Sequence, residues 1–184
     1  CIVADRDYAE NEPLDEKLAD NDPSEEQIVH SILLQVKGLL NDARIPIGKD
    51  SAVEVSHHYG LHRFREYGAV IIKVINRQYC KKLIVQLPRQ KHPYHYHEKK
   101  EETFQVLCGD LEIEKDGHTR KLGPGDVYLV EAGAWHKFQT LDGVIFEEVS
   151  TTHRNDDSFY MDERIARMPR DERKTYIANW EIDG

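Results

Sequence analysis

His95 and His97 stand two residues apart in the run His95-Tyr96-His97-Glu98-Lys99-Lys100-Glu101-Glu102. On a β-strand, residues i and i+2 point to the same face, so both imidazoles can enter one cavity. Glu102 can return to that point after a short turn, and His136 follows later, beyond a turn containing Gly133. Three imidazoles and one carboxylate make a half-shell for a divalent transition metal with positions left open for water or substrate. The set suits Mn, Fe, Co, Ni or Zn, and affinity alone does not choose among them.

Groups that move protons are sought next to such an ion. Lys100 sits on the loop over the site, together with Glu98, Lys99 and Glu101. Glu147 and Glu148 lie on an expected strand, where alternation sends one of the two inward. Val144, Phe146 and Glu148 share one face, and Ile145, Glu147 and Val149 share the other; periodicity does not say which face lines the pocket. Glu148, Glu147 and Lys100 are therefore the catalytic candidates, an inward carboxylate beside the ion being a plausible general base.

The charge distribution adds candidates for substrate binding. The 184-residue chain has a net charge of −9, yet residues 71–100 carry eight bases against Glu98 alone. Arg89 and Lys82 belong to that basic stretch. It reads either as an electropositive approach for an anionic sugar or as solvated lysines guarding edge strands. His58 is a third candidate. It is adjacent to His57, and neighbours in a strand face opposite ways, so the pair cannot both reach one ion. His92 is read as a supporting or surface residue on the face opposite His95.

The elements that must position these groups are mostly short strands. Ala69–Ile75, Lys81–Leu87, the histidine strand, Thr103–Leu107, Leu111–Lys115, His118–Leu122, Val127–Val130, Phe138–Leu141 and Val144–Thr151 are separated by turn residues. Asp116-Gly117 is a strong hairpin signal. The pattern indicates an antiparallel barrel or jelly roll able to hold one small ligand in its mouth. Before it, Ile28, Ile32, Leu33, Val36, Leu39 and Leu40 recur at helical spacing, with Asp22 expected to cap and Glu25 to complete a capping box. Residues 1–21 read as an acidic linker or arm, 22–42 as a helical lead-in, 43–155 as the barrel and 156–184 as a tail. In that tail Asp162–Arg167 and Arg170–Ile177 are expected to be helical and to pack on the barrel or a partner.

The histidine spacing is specific enough for a resemblance. His95-x-His97, four residues, Glu102, six residues, Gly109 resembles the first signature of the cupin superfamily. Gly125, Glu131, Gly133 and His136 resemble the second. Arg89, Glu131 and Thr140 depart from the family pattern at turns rather than at the four ligand positions. The resemblance implies a mainly β fold: an antiparallel cupin jelly-roll barrel with an N-terminal amphipathic helix and a C-terminal helical tail. As a guide to function it is weak, because one fold serves many chemistries.

A narrower resemblance rests on Ser56-His57-His58-Tyr59-Gly60, Asn76-Arg77-Gln78-Tyr79-Cys80-Lys81-Lys82, Glu101-Glu102-Thr103-Phe104 and Asp156-Asp157-Ser158-Phe159-Tyr160. These runs resemble the cupin domains appended to bacterial sialic acid (N-acetylneuraminate) synthase-type proteins, which are similar to sugar isomerases of the D-lyxose isomerase kind. This implies aldose–ketose isomerisation or epimerisation of a small neutral or anionic sugar, and a homodimer. The alternatives are a non-catalytic sugar-binding or oligomerising domain of a larger synthase, and an Fe(II) dioxygenase. The start at Cys1 fits a domain that follows further sequence.

Composition narrows the remaining classes. No apolar run is long enough to cross a membrane, there is no secretory signal pattern, and the acidic balance argues against nucleic acid. Three cysteines without CxxC spacing read as reduced thiols in a cytoplasmic protein, with Cys108 expected as a small core residue before the Gly109 turn.

Overall fold

The computed structural model describes residues 22–49 and 51–177. The expected acidic arm at 1–21 and the end of the tail, including Trp180, lie outside the described residues.

Among the described residues, twelve strands form two antiparallel sheets. They are β1 (Ala52–Ser56), β2 (Ala69–Asn76), β3 (Tyr79–Gln86), β4 (Lys91–Tyr96), β5 (Glu102–Gly109), β6 (Leu111–Lys115), β7 (His118–Leu122), β8 (Val127–Val130), β9 (His136–Gln139), β10 (Val144–Thr151), β11 (Phe159–Tyr160) and β12 (Lys174–Ile177). The larger sheet runs β12-β1-β2-β3-β10-β5-β8, and the smaller β11-β4-β9-β6-β7. The fold is the expected antiparallel cupin barrel with two flanking helices, α1 (Glu25–Asp42) and α2 (Glu163–Arg167).

Two apolar clusters follow from strand alternation. Ile84, Phe104, Val106, Ile113, Phe138, Val144 and Phe146 fill the space between the sheets. On the outer face of the larger sheet, Val53, Val55, Val70, Ile72, Leu83, Val85 and Ile145 meet Ile32, Leu33, Val36 and Leu40 of α1. The helix thus buries its apolar stripe on the barrel. Its cap is Ser24, two residues later than expected: the Ser24 side chain accepts from the Gln27 backbone, and the Gln27 side chain accepts from the Ser24 backbone. A hydroxyl at that position does what Asp22 was expected to do.

Three further corrections bear on the site. Strand β1, hidden in the sequence behind the His57-His58 pair, begins the barrel before Gly68 and aims Glu54 and Ser56 inward. The stretch Arg170–Ile177 is not helical: after a single 3-10 turn at Asp171–Arg173 it becomes β12, which pairs with β1 so that Lys174 lies opposite Ser56. Cys108 is exposed rather than in the core, while Cys80 is buried.

Turn chemistry closes the barrel. Asp116 and Gly117 have φ of 48° and 80°, the left-handed pair that a two-residue hairpin needs. Arg89 has φ of 68° where the resembled family carries glycine, so the backbone turn is kept without it. Gly109 combines φ of 86° with close approach: a Cβ there would lie 2.0 Å from the Gly143 carbonyl oxygen. Gly109→Ala is expected to cost at least about 3 kcal/mol, seen as a fall in Tm of roughly 6–12 °C. An unchanged Tm would contradict the close approach.

Candidate metal centre and active site

The four predicted ligands come together. His95 is near the end of β4 and pairs with His136 at the start of β9. His97 follows β4 directly, and Glu102 opens β5. Their ligand atoms all lie within 4.8 Å of one another, and all four residues are buried. They line a cavity of about 60 Å³ between the sheets, room for an ion and a few waters.

Backbone carbonyls orient the rings. Nδ1 of His95 lies 3.0 Å from the Pro93 oxygen, and Nδ1 of His136 lies 3.1 Å from the Ala134 oxygen. Nδ1 of His97 contacts the Asp157 oxygen. A carbonyl can only accept, so each Nδ1 carries the proton. In the neutral ring each Nε2 then presents a lone pair, the form that binds a metal. Burial, reinforced by His136, His92 and His97, holds His95 well below the usual imidazole pKa and therefore neutral.

One pair of atoms tests the fit to an ion. Nε2 of His136 lies 3.1 Å from Oε2 of Glu102, an ion-pair distance for a charged ring only, and both atoms are buried without a hydrogen-bond partner. A lone pair facing a carboxylate oxygen inside a buried cavity is unfavourable unless a cation lies against both. The donor set therefore fits a divalent transition ion.

A second carboxylate completes the polar cluster. Alternation in β10 sends Val144, Phe146, Glu148 and Ser150 inward, which settles the choice between faces: Glu148 is buried, while Glu147 points out and pairs with Lys81 at 2.7 Å. Glu148 Oε1 accepts from Lys82 Nζ at 2.8 Å, Lys100 Nζ at 3.2 Å and Ser150 Oγ at 3.3 Å. Lys100 also contacts Glu102, so one ammonium bridges the two carboxylates. Burial opposes charge on every member. For Glu148, Lys100 and Lys82 outweigh it and bring the carboxyl below its ordinary range. For Glu102, Lys100 outweighs it and holds the carboxyl well below its ordinary range. For Lys100, burial is outweighed by Glu102 and Glu148, and its pKa rises. All three are charged at neutral pH.

The remaining predicted residues divide. Lys82 and Lys100 line the cavity. Arg89 does not: its side chain borders a separate surface groove with Asp110 and Leu141, because the turn it makes carries it away from the barrel mouth. His58 sits behind the cavity wall, edge-on to the His92 ring at 4.5 Å, with neither ring nitrogen bonded. His92 was expected on the opposite face. A register shift between His92 and His95 instead turns it into the cavity, where it stacks on Phe138. Burial first, and then His136, push His92 down to about 3.

Several residues of the site escaped the sequence. Asp157 takes backbone N–H bonds from Glu98, Lys99 and Lys100, at 2.8–3.2 Å, besides orienting His97. Tyr160 stacks on His95 at 5.5 Å between centroids. His153 and Lys174 complete one side of the wall. The run Asp156–Tyr160 had carried a family resemblance without a role; the pairing of β11 with β4 supplies one.

Comparison with known proteins agrees with this architecture. A family profile described as Cupin domain matches residues 83–144. The D-lyxose/D-mannose isomerase of Thermosediminibacter oceani is 27% identical over 158 residues, covering 70% of this chain and 86% of that protein. The D-lyxose ketol-isomerase of Cohnella laeviribosi is 28% identical over 146 residues, covering 64% and 80%. In fold, the chain matches Geodermatophilus obscurus L-ribose isomerase with a TM-score of 0.63 at 18% identity, covering 76% of this chain and 93% of that one. Residues 83–144 thus match the cupin domain profile, and the sequence is similar to those of sugar isomerases.

Proposed function

We propose that this protein is a metal-dependent aldose–ketose isomerase. The observation that carries the reading is Glu148: an ionised, buried carboxylate in the same cavity as the His95, His97, Glu102 and His136 cluster. A proton acceptor next to a transition-metal shell is what proton movement between adjacent sugar carbons requires. The similarity to D-lyxose isomerases supports the same reaction class.

His95, His97, Glu102 and His136 would hold the ion, which supplies Lewis acidity to a sugar carbonyl and a neighbouring hydroxyl. Glu148 takes the proton from the carbon beside the carbonyl and returns it to the former carbonyl carbon, while the proton of the neighbouring hydroxyl passes to the carbonyl oxygen. Lys82 and Lys100 keep Glu148 ionised and offer N–H donors to sugar hydroxyls. Tyr160 and Phe138 give the chain an apolar wall. A dioxygenase would use a similar shell, but the Glu148–lysine cluster favours proton transfer over oxygen chemistry. The four sequence runs that resemble synthase-associated cupins support a finer reading, a sugar of sialic-acid-type metabolism handled by a homodimer.

The direct test is turnover of the neutral aldoses D-lyxose, D-mannose and L-ribose and of the anionic aldoses D-ribose 5-phosphate and D-glucuronate by protein loaded with Mn(II) or Co(II), in deuterated water. Isomerisation with deuterium entering the product carbon is expected. Loaded protein that turns over no aldose, or that consumes oxygen instead, contradicts the proposal.

Two variants divide the roles. Glu148→Gln should lower kcat by about 10²–10⁴-fold with metal content unchanged, the worth of one positioned proton carrier, whereas the outward Glu147→Gln should leave kcat unaffected. His136→Ala should lose the metal. Equal losses for Glu147→Gln and Glu148→Gln would remove the assignment of the base. Asp157→Ala should weaken metal affinity about 10–100-fold, because it frees the loop at Glu98–Lys100 that precedes Glu102; elemental analysis after dialysis reads this.

A further inference from the structure

A small recess of about 30 Å³ adjoins the metal cavity. The two share His153, Ser158, Tyr160 and Lys174 in their walls, and the recess adds Asn155, Arg170 and Arg173. Its charge is one-sided. Arg170, Arg173 and Lys174 line it, and no carboxylate does. Lys174 contacts Glu54, which lies outside the lining. Lys82, on the cavity side, is engaged with Glu148.

Arg173 is held for a purpose that the fold leaves open. Its guanidinium carbon lies 5.1 Å from the Tyr160 ring centroid, and its backbone carbonyl accepts from His57. Yet its Nε is buried without an acceptor. A buried guanidinium N–H normally meets an oxygen, and a planar fork of such donors matches a carboxylate or phosphate. The local field agrees: burial, followed by Lys82, Lys100 and Lys174, pushes the nearby His153 down to about 2.

We propose that this recess binds an oxyanion carried by the sugar, so that the substrate is a sugar acid or a sugar phosphate rather than a neutral aldose. That the ligand is a sugar rests on the isomerase reading. That it is anionic rests on Arg170, Arg173 and Lys174, which come from the tail and not from the metal cluster. The recess is too small for a sugar chain and admits only a compact group. The tail that forms β12 is thereby a specificity element: pairing with β1 is what brings the cations to the barrel.

The test is calorimetric binding to metal-loaded protein, with D-ribose 5-phosphate, D-glucuronate, inorganic phosphate and the neutral sugars D-ribose and D-glucose as probes. At least one anionic sugar is expected to bind ten-fold or more tightly than its neutral parent. That margin should vanish in Arg170→Met and in Arg173→Met with metal content unchanged. Preference for the phosphate or for the carboxylate names the source of the oxyanion. Equal affinity for neutral and anionic sugars, or a margin that survives in both variants, overturns the proposal. The two readings fail separately. Anion binding that depends on Arg170, without turnover of any aldose, would keep the recess and remove the isomerase. Turnover of neutral sugars, with KM unchanged in Arg170→Met, would do the reverse.

Discussion

The site depends on three backbone carbonyls. Pro93, Ala134 and Asp157 each face the Nδ1 of one histidine, and each therefore decides which nitrogen of that ring carries the proton. Without them a neutral imidazole could present either tautomer, and the lone pairs would not converge. The carbonyls belong to three different places in the chain: strand β4, the turn before β9 and the segment before β11. The barrel must close, and β11 must dock on β4, before all three rings are set. The fold thus presets the donor geometry of the proposed metal site instead of leaving an ion to assemble it.

Charge balance is the second constraint. Glu102 and Glu148 are two buried carboxylates in one cavity, and Lys82 and Lys100 offset them. Removing any one would leave a buried charge uncompensated, a cost of several kcal/mol in comparable settings. The arrangement also separates tasks. Lys100 holds one oxygen of Glu102, leaving the other beside His136 and free of hydrogen bonds. Glu148 keeps its charge without joining the four-residue cluster. One carboxylate is therefore suited to the ion and the other to the proton.

Much of this was legible in the sequence, for physical reasons. The two-residue period of a strand places His95 and His97 together, and turn glycines mark where Glu102 and His136 must return. Strands β6, β7, β8 and β10 follow from alternation between turn signals. Glu148 against Glu147 was not legible, because both faces of β10 are apolar: Phe146 fills the barrel while Ile145 lies under α1. His92 was misplaced because a one-residue register shift moves a side chain to the other face, and no residue type announces it. The tail misled for a different reason. Arg170–Ile177 is charged and reads as a helix, but its conformation is fixed by the open edge of β1, a partner more than a hundred residues away in sequence. Lys82 read either as part of an electropositive approach to the site or as a solvated strand lysine, and only its pairing with Glu148 explains its burial.

The most direct measurement of the central claim is nitrogen-15 NMR of the histidine rings in metal-free protein at neutral pH, followed by addition of Zn(II). His95, His97 and His136 should each show a protonated Nδ1 and a bare Nε2 before the ion is added, and on addition the Nε2 resonances of those three should shift together. Rings that are charged, that sample both tautomers, or that carry the proton on Nε2 would contradict a site set by the carbonyls of Pro93, Ala134 and Asp157.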